Sequence, residues 1–245
     1  GGGEGRGVPG PTTGGRTAGP RVEGGVDIIG PAYGRPDRIE RVRENIHQPP
    51  SWPHRITFVA EPHDTDTIAA LERSHERFIL NERTPNYAGA INTAVLATDS
   101  PLVFLGADDL NFHESWDLAA TRVLEPQFPV IGTNDLGNPY VLAGTHSTHS
   151  LVDVSYVYEV GGTLTDGPGV CLPECYAHDW TDTEFIGVAK ARVRFRPCLE
   201  SVVEHLHWVF GKSERDATYD KNARAQAEGE ALYVQRKQAW DNLSR

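Results

Sequence analysis

Pro101–Phe112, PLVFLGADDLNF, is the stretch on which the reading of this chain turns. Leu102, Val103, Phe104 and Leu105 form a short unbroken apolar run, the pattern of a strand buried on both faces of a parallel sheet. The second half changes chemistry: Gly106 lets the backbone turn closely, and Asp108 and Asp109 then stand together where such a strand ends. In open α/β sheets ligands bind outside the carboxyl ends of strands, so two carboxylates there suit a ligand better than a core. Hard oxygen donors of this kind suit Mg²⁺ or Mn²⁺ bridging to phosphate oxygens. The competing reading is a helix cap, with Asp108 or Asp109 preceding a helix that begins near Glu114 to Trp116.

Upstream, the same alternation of strand and helix recurs. VDIIG (Val26 to Gly30) reads as a buried strand, and Arg35 to His47 as an amphipathic helix with Pro36 in its first turn and Ile39, Val42 and Ile46 on one face. RITFVA (Arg55 to Ala60) is a second strand ending at Glu61, and DTDT opens a helix over Asp64 to Arg73. NYAGAINTAVLAT (Asn86 to Thr98) is a helix whose small residues Ala88, Gly89 and Ala90 permit close approach to a sheet or ligand. Ser115 to Leu124 follows as a helix and Phe128 to Thr133 as a strand, so the first half is a β/α layer whose strand ends converge on Asp108.

Beyond Asn134 the composition shifts to Gly, Thr, His and Asp, predicting long loops with short strands, the usual carriers of specificity. YAHDWTDTEFIGVAKA (Tyr176 to Ala191) ends in a helix, Arg192 to Pro197 is a strand, and VVEHLHW (Val202 to Trp208) sets His205 and His207 on one side of an extended segment. The expected organisation is a Gly/Pro-rich tail over 1–25, mobile unless held from outside, a single α/β domain over 26–213, and a charged helical tail over 214–245. The domain divides into halves at 26–133 and 134–213.

At 245 residues with 38% hydrophobic and 23% charged content, the chain is that of a soluble globular protein. A net charge of -11 argues against a nucleic-acid or anionic-membrane surface, which would demand clustered Lys and Arg. No run approaches a membrane span, no segment has the layout of a secretory signal, and the odd count of three cysteines fits a reducing interior, so the expected location is cytoplasmic. Cys171, Cys175 and His178 match no strong zinc spacing and read as ordinary small residues.

Taken in order, these signals resemble the GT-A nucleotide-sugar glycosyltransferases, specifically the large inverting family-two type, over most of Val26 to Asp220. VDIIGPAYGRPDRIERVRENI resembles that family's opening strand, nucleotide loop and first helix; ITFVAEPHDTDT its second strand, ending in an acid that reads the nucleobase; NYAGAIN its Asn and Gly motif; and FLGADD its aspartate-any-aspartate motif. GGTLTDG is similar to the Gly-Gly segment before the acceptor site, WTDTEF to the segment supplying the catalytic base, and VVEHLH to the late histidine of the metal shell. The chain departs from the pattern at Gly106, where the family has the first acid of its motif.

The resemblance implies a single Rossmann-like domain with a mostly parallel sheet and helices on both faces, and metal-assisted transfer of a sugar to an acceptor hydroxyl with inversion. It assigns the nucleotide to the Pro31 loop, Glu61, Gly89, Asn92 and Asp108, and Mn²⁺ or Mg²⁺ to Asp108 with His207 ahead of His205, His207 reading otherwise as a hydrogen-bonded strand histidine; by their own chemistry Tyr33 reads as stacking on the nucleotide and Arg35 as pairing with it or, equally, as part of a solvated helix face. The catalytic base falls on Asp182, with Glu184 as the substitute; Asp182 reads otherwise as a helix cap, and Trp180 as either a sugar platform or packing. The implied partners are a nucleotide sugar and an unidentified acceptor, whether glycan, protein or small molecule. Two rivals stand beside this: a nucleotidyltransferase on a similar sheet, for which PAYGRP is a poor phosphate loop, and a catalytically inactive sugar-binding module, for which Gly106 is the best argument.

Overall fold

The computed structural model describes residues 25–46, 54–177, 179–213 and 217–243; the expected tail up to residue 24 and His178 lie outside the described residues. The run Leu102–Leu105 is strand β4 of an eight-stranded sheet of order β3-β2-β1-β4-β7-β6-β8-β5. Its companions are β1 (Val26–Ala32), β2 (His54–Ala60), β3 (Phe78–Leu80), β5 (Leu110–Phe112), β6 (Val130–Asn134), β7 (Ser150–Asp153) and β8 (Phe195–His205). β1 pairs in parallel with both β2 and β4, and β6 with β8, whereas β7 runs antiparallel between β4 and β6 and β5 antiparallel on β8. All the strands except β5 and β7 therefore share one direction. The expected mostly parallel Rossmann-like sheet is what forms, with the strands at Val26, Ile56, Leu102 and Val130 all in it.

Alternation along the strands feeds two cores, because successive side chains of a strand point to opposite faces. Val26, Ile28, Leu102 and Phe104 face α1 (Arg38–Ile46), α2 (Thr65–Arg73) and α4 (Trp116–Val123). Ile29, Val103 and Leu105 face α3 (Tyr87–Ala97), α6 (Val154–Glu159) and α7 (Thr181–Ala191). On the first face Phe104, Phe112 and Trp116 meet edge to face with ring centroids 5.0–5.2 Å apart, a geometry that adds about 0.5–1.5 kcal/mol per pair beyond the burial of area.

Expected element boundaries hold to a few residues in the first half. Asp64 caps α2 as expected, its side chain accepting from the Thr67 N–H, and also accepts the Gly34 N–H at 2.6 Å, which moors the loop after β1. Neither Asp108 nor Asp109 caps α4, because Leu110–Phe112 forms β5 first and Ser115 precedes the helix. Beyond Asn134 the loops contain more helix than expected: α5 (Pro139–Leu142) and α6 follow Asn138 and Asp153, whose side chains accept the Tyr140 and Ser155 N–H groups. The C-terminal α8 (Ala217–Asp241) lies against α7, and among the described residues no helix is long and apolar enough to cross a membrane.

The absence of an acid at 106 has a steric cause. Gly106 donates its N–H to the Ile29 carbonyl at 3.0 Å, and a Cβ there would lie 2.4 Å from that same oxygen. Backbone atoms of two central strands would have to separate to admit any side chain. Gly106→Ala is expected to destabilise the fold by about 1–3 kcal/mol or more, read as a fall in the urea midpoint at unchanged slope; an unchanged midpoint would mean that the β1–β4 edge is loose.

Candidate active site

The chain leaves β4 through Gly106 and divides two neighbouring acids between two environments. Asp108 turns to the first helix: its carboxylate lies 3.0 Å from Arg35 Nη1 and 3.4 Å from Arg38 Nη1. Burial and the adjacent Asp109 charge push the Asp108 carboxyl above its ordinary value, against the pull of both guanidiniums. Asp109 turns instead to the end of β8, where its Oδ2 lies 3.3 Å from His205 Nε2. Burial opposes its charge, yet His205, with His149 and His207 behind it, holds the Asp109 carboxyl far below the usual range, and His205 is raised in return.

The register explains this. β5 pairs antiparallel with β8 so that Leu110 faces His205, and the Leu206 N–H donates to the Asp109 carbonyl at 2.8 Å. The His205 ring then lies 5.1 Å from His149 and 5.0 Å from His207 by ring centroid. His207 caps a 3₁₀ turn over Trp208–Phe210, its Nδ1 accepting the Val209 N–H. His149 is buried, with Nδ1 2.9 Å from the Leu105 carbonyl and Nε2 sealed from solvent without a hydrogen-bond partner among the described residues. A proton on Nδ1 leaves Nε2 as a lone pair within the histidine cluster.

Opposite this cluster lies the N-terminus of α7. Trp180, at φ 75°, precedes the helix and makes no side-chain cap. Asp182 is therefore not the cap; its Oδ1 accepts the Thr183 N–H at 2.9 Å and its Oδ2 lies 3.1 Å from His146 Nε2. Burial opposes its charge, but the His146 hydrogen bond and charge keep the carboxyl below its ordinary value. Tyr87, from the start of α3, donates to the Gly106 carbonyl at 3.1 Å; burial first, and then the charges of Asp182, Cys171 and Asp109, raise its phenol.

The other expected site residues lie in varied settings. Glu61 directly follows β2, 8% exposed, and accepts from Asn81 Nδ2 at 2.7 Å. Tyr33 is 54% exposed, edge-on to His63, in the loop that follows Pro31 at the end of β1. Asn92 is fully buried and spends its amide on the 171–174 segment, accepting from Cys171 and Leu172 N–H groups and donating to the Leu172 carbonyl and Glu174. Gly89 packs so closely that a Cβ would fall 1.9 Å from the Thr84 carbonyl oxygen. Glu184 is buried in a two-pronged pair with Arg236 of α8, at 2.6 and 2.7 Å, and accepts from Tyr176 at 2.6 Å. Trp180 stacks on Tyr233 of α8 at 4.9 Å, so one ring face is covered by protein.

Thus Arg35, Asp108, Asp109, His205, His207 and Asp182 gather around the strand ends, whereas Asn92 and Glu184 tie segments together. Sequence reasoning passed over Arg38, His146 and His149. Arg38 follows Arg35 at the spacing of one helical turn, and the run THSTH (Thr145 to His149) places His146 and His149 close together in one loop, so both signals were available in the chain. As a donor set for a divalent cation, the Asp109 carboxylate with neighbouring imidazoles has the oxygen and nitrogen chemistry that Mn²⁺ accepts, and the partnerless Nε2 of His149 adds a donor in the same cluster. Among the described residues no three such side chains already converge on one point, so a cation would draw them together.

No family model matches the sequence, and no curated protein matches it. Solved structures do. A mannosyltransferase from Pyrobaculum calidifontis, in complex with GDP-Man and Mn²⁺, superposes at TM-score 0.56 with 13% identity, over 89% of this chain and 73% of that one. Glucosyl-3-phosphoglycerate synthase from Mycobacterium tuberculosis, in complex with Mn²⁺, UDP-Glc and phosphoglyceric acid, superposes at 0.59 with 11% identity, over 86% of this chain and 79% of that one. The fold is that of the GT-A nucleotide-sugar glycosyltransferases.

Two outcomes follow from these placements. Removing Arg236 leaves the buried Glu184 carboxylate without its cation, so Arg236→Ala is expected to cost about 3–5 kcal/mol in chemical unfolding; a loss under about 1 kcal/mol would show that α8 holds nothing. His149 is pushed down to about 4, by burial and then by the charge of His205, from an ordinary 6.5. The unfolded chain therefore takes up this proton first as pH falls, and stability present above 6.5 is lost toward pH 4, by about 3 kcal/mol. His149→Gln is expected to flatten the curve of unfolding free energy between those pH values, and an unaltered slope would refute a buried neutral imidazole.

Proposed function

We propose that this chain transfers a sugar from a nucleotide-sugar donor to an acceptor hydroxyl, with a divalent cation, Mn²⁺ foremost, in the donor site. The observation that carries the reading is the division of Asp108 and Asp109 at the end of β4 between an arginine pair and a histidine cluster, on a GT-A fold, with the Asp182 charge acting on His149 and His205 of that cluster. Phosphate oxygens are matched by guanidinium forks, which makes Arg35 and Arg38 the groups for the donor diphosphate, with Asp108 holding both in orientation. Asp109 with His205 or His207 would hold the cation, and a bound cation would supply Lewis-acid stabilisation of the leaving diphosphate. Glu61 and the exposed ring of Tyr33 stand at the ends of β2 and β1 for the nucleoside.

In the reaction, the acceptor oxygen forms its bond to the anomeric carbon as the bond from that carbon to the diphosphate breaks. A single in-line displacement inverts the anomeric centre. The acceptor proton passes to a base at the N-terminus of α7, where Asp182 lies, and the negative charge developing on the diphosphate falls toward Arg35 and Arg38, whose charges need no rearrangement at that moment. Glu184, bound to Arg236 and Tyr176, serves as the anchor of α8 rather than as an alternative base.

The test is a screen of GDP-mannose and UDP-glucose for release of nucleoside diphosphate with and without Mn²⁺, beside calorimetry of GDP and UDP. Mn²⁺ is expected to strengthen nucleotide binding, and Asp109→Asn and Arg35→Ala are each expected to weaken it about ten- to a hundredfold. Release of pyrophosphate from a nucleoside triphosphate, with no nucleoside diphosphate released from either sugar nucleotide, would make the chain a nucleotidyltransferase. Metal-independent binding unchanged in Asp109→Asn would remove the histidine side from the donor site.

A further inference from the structure

The contact between His146 and Asp182 belongs to neither half of the donor site, and it gives the reaction's proton a destination. The loop that carries Thr145 and His146 is fastened to α7 at two points: Lys190 Nζ, from the last turn, donates to the Thr145 carbonyl at 2.8 Å, and His146 meets Asp182 of the first turn. Both oxygens of Asp182 are engaged, Oδ1 by the Thr183 N–H and Oδ2 by His146 Nε2. His146 Nδ1 makes no hydrogen bond among the described residues, and the side chain remains 14% exposed.

We propose that His146 is the catalytic base of this site and that Asp182 orients it. This deepens the glycosyl-transfer reading and rests on it. With its proton on Nε2 and directed at Asp182 Oδ2, the imidazole presents the Nδ1 lone pair, and the carboxylate stabilises the imidazolium that forms, which is the division of labour in Asp–His pairs generally. The step balances: the acceptor O–H proton moves to Nδ1, the oxygen's electron pair forms the bond to the anomeric carbon, and the electrons of the breaking bond leave with the diphosphate. Asp182, with both oxygens engaged and its carboxyl held below its ordinary range by those partners, is a weak proton acceptor, whereas Nδ1 of His146 carries no hydrogen bond among the described residues.

The experiment uses the full chain with whichever of GDP-mannose or UDP-glucose the wild type consumes, in His146→Ala, His146→Gln and Asp182→Asn. Expected for His146→Ala is a kcat lower by about 10²- to 10⁴-fold, donor affinity within about twofold of wild type, and partial restoration by added imidazole. His146→Gln keeps a hydrogen bond to Asp182 and is expected to melt near wild type while remaining inactive, which separates chemistry from folding. Near-normal turnover by His146→Gln, with Asp182→Asn inactive, overturns the proposal and makes the carboxylate the base. Inactivity of His146→Ala without any rescue by imidazole overturns it as well. A wild type that binds no nucleoside diphosphate and consumes neither donor overturns the glycosyl-transfer reading itself, whereas intact donor binding with an undiminished His146→Ala overturns only the role of His146.

Discussion

The contact on which the site depends is the approach of Gly106 to the Ile29 carbonyl. β4 lies between β1 and β7, buried on both faces, and its last hydrogen bond to β1 is the one donated by Gly106. With no side chain there, the chain continues flush against β1 and then turns out of the sheet at Ala107. It soon re-enters at Leu110 as β5 on the far edge, paired to β8. The crossing segment has only Asp108 and Asp109 with which to meet both sides of the cleft. The two acids stand in the turn between β4 and β5, where Asp108 meets Arg35 and Arg38 at the entrance to α1 while Asp109 meets the histidines at the end of β8. An acid at 106 would add charge to the cleft but break the strand contact that shapes it.

Polar straps hold the second half over this sheet. Asn92, buried on α3, satisfies three backbone groups of Cys171 and Leu172, and Glu174 is bound by Arg83, Thr84 and Asn92. Asp135, buried at the end of β6, accepts from the Gly137 and Asn138 N–H groups and from Thr148, and so shapes the loop that carries His146 and His149. Buried polar groups of this kind are costly to leave unpaired and directional when paired, which suits them to set loop positions that apolar contacts leave degenerate. Arg236 does the same for α8, whose Tyr233 covers one face of Trp180 beside the α7 terminus.

The net charge of -11 does not describe the end of β4. There Asp108 is flanked by Arg35 and Arg38 and Asp109 lies against His205, so each acid has a cationic or basic partner within an acidic chain. Overall charge speaks to broad surfaces. It says little about a site formed by a handful of side chains drawn from segments far apart in sequence.

Most of the first half of the fold was legible because its signals are local: apolar runs for buried strands, helical spacing of the apolar face for α1, and the Asp64 cap of α2. The second half was less so, since β7 and α6 owe their form to neighbours, β7 to the gap between β4 and β6 and α6 to the cap at Asp153. In the site, the chain by itself determined that paired acids end the central strand, that an Asp opens the late helix, and that two histidines stand at and just beyond the end of β8. Only the tertiary structure decided which acid faces the arginines and which the histidines, that Glu184 belongs to Arg236, and that His146 reaches Asp182 from 36 residues away. The reason is physical: residue type and spacing carry propensity and chemistry along a chain, whereas the partner of a charged group is set by strand register and loop closure, which bring together residues that share no local pattern.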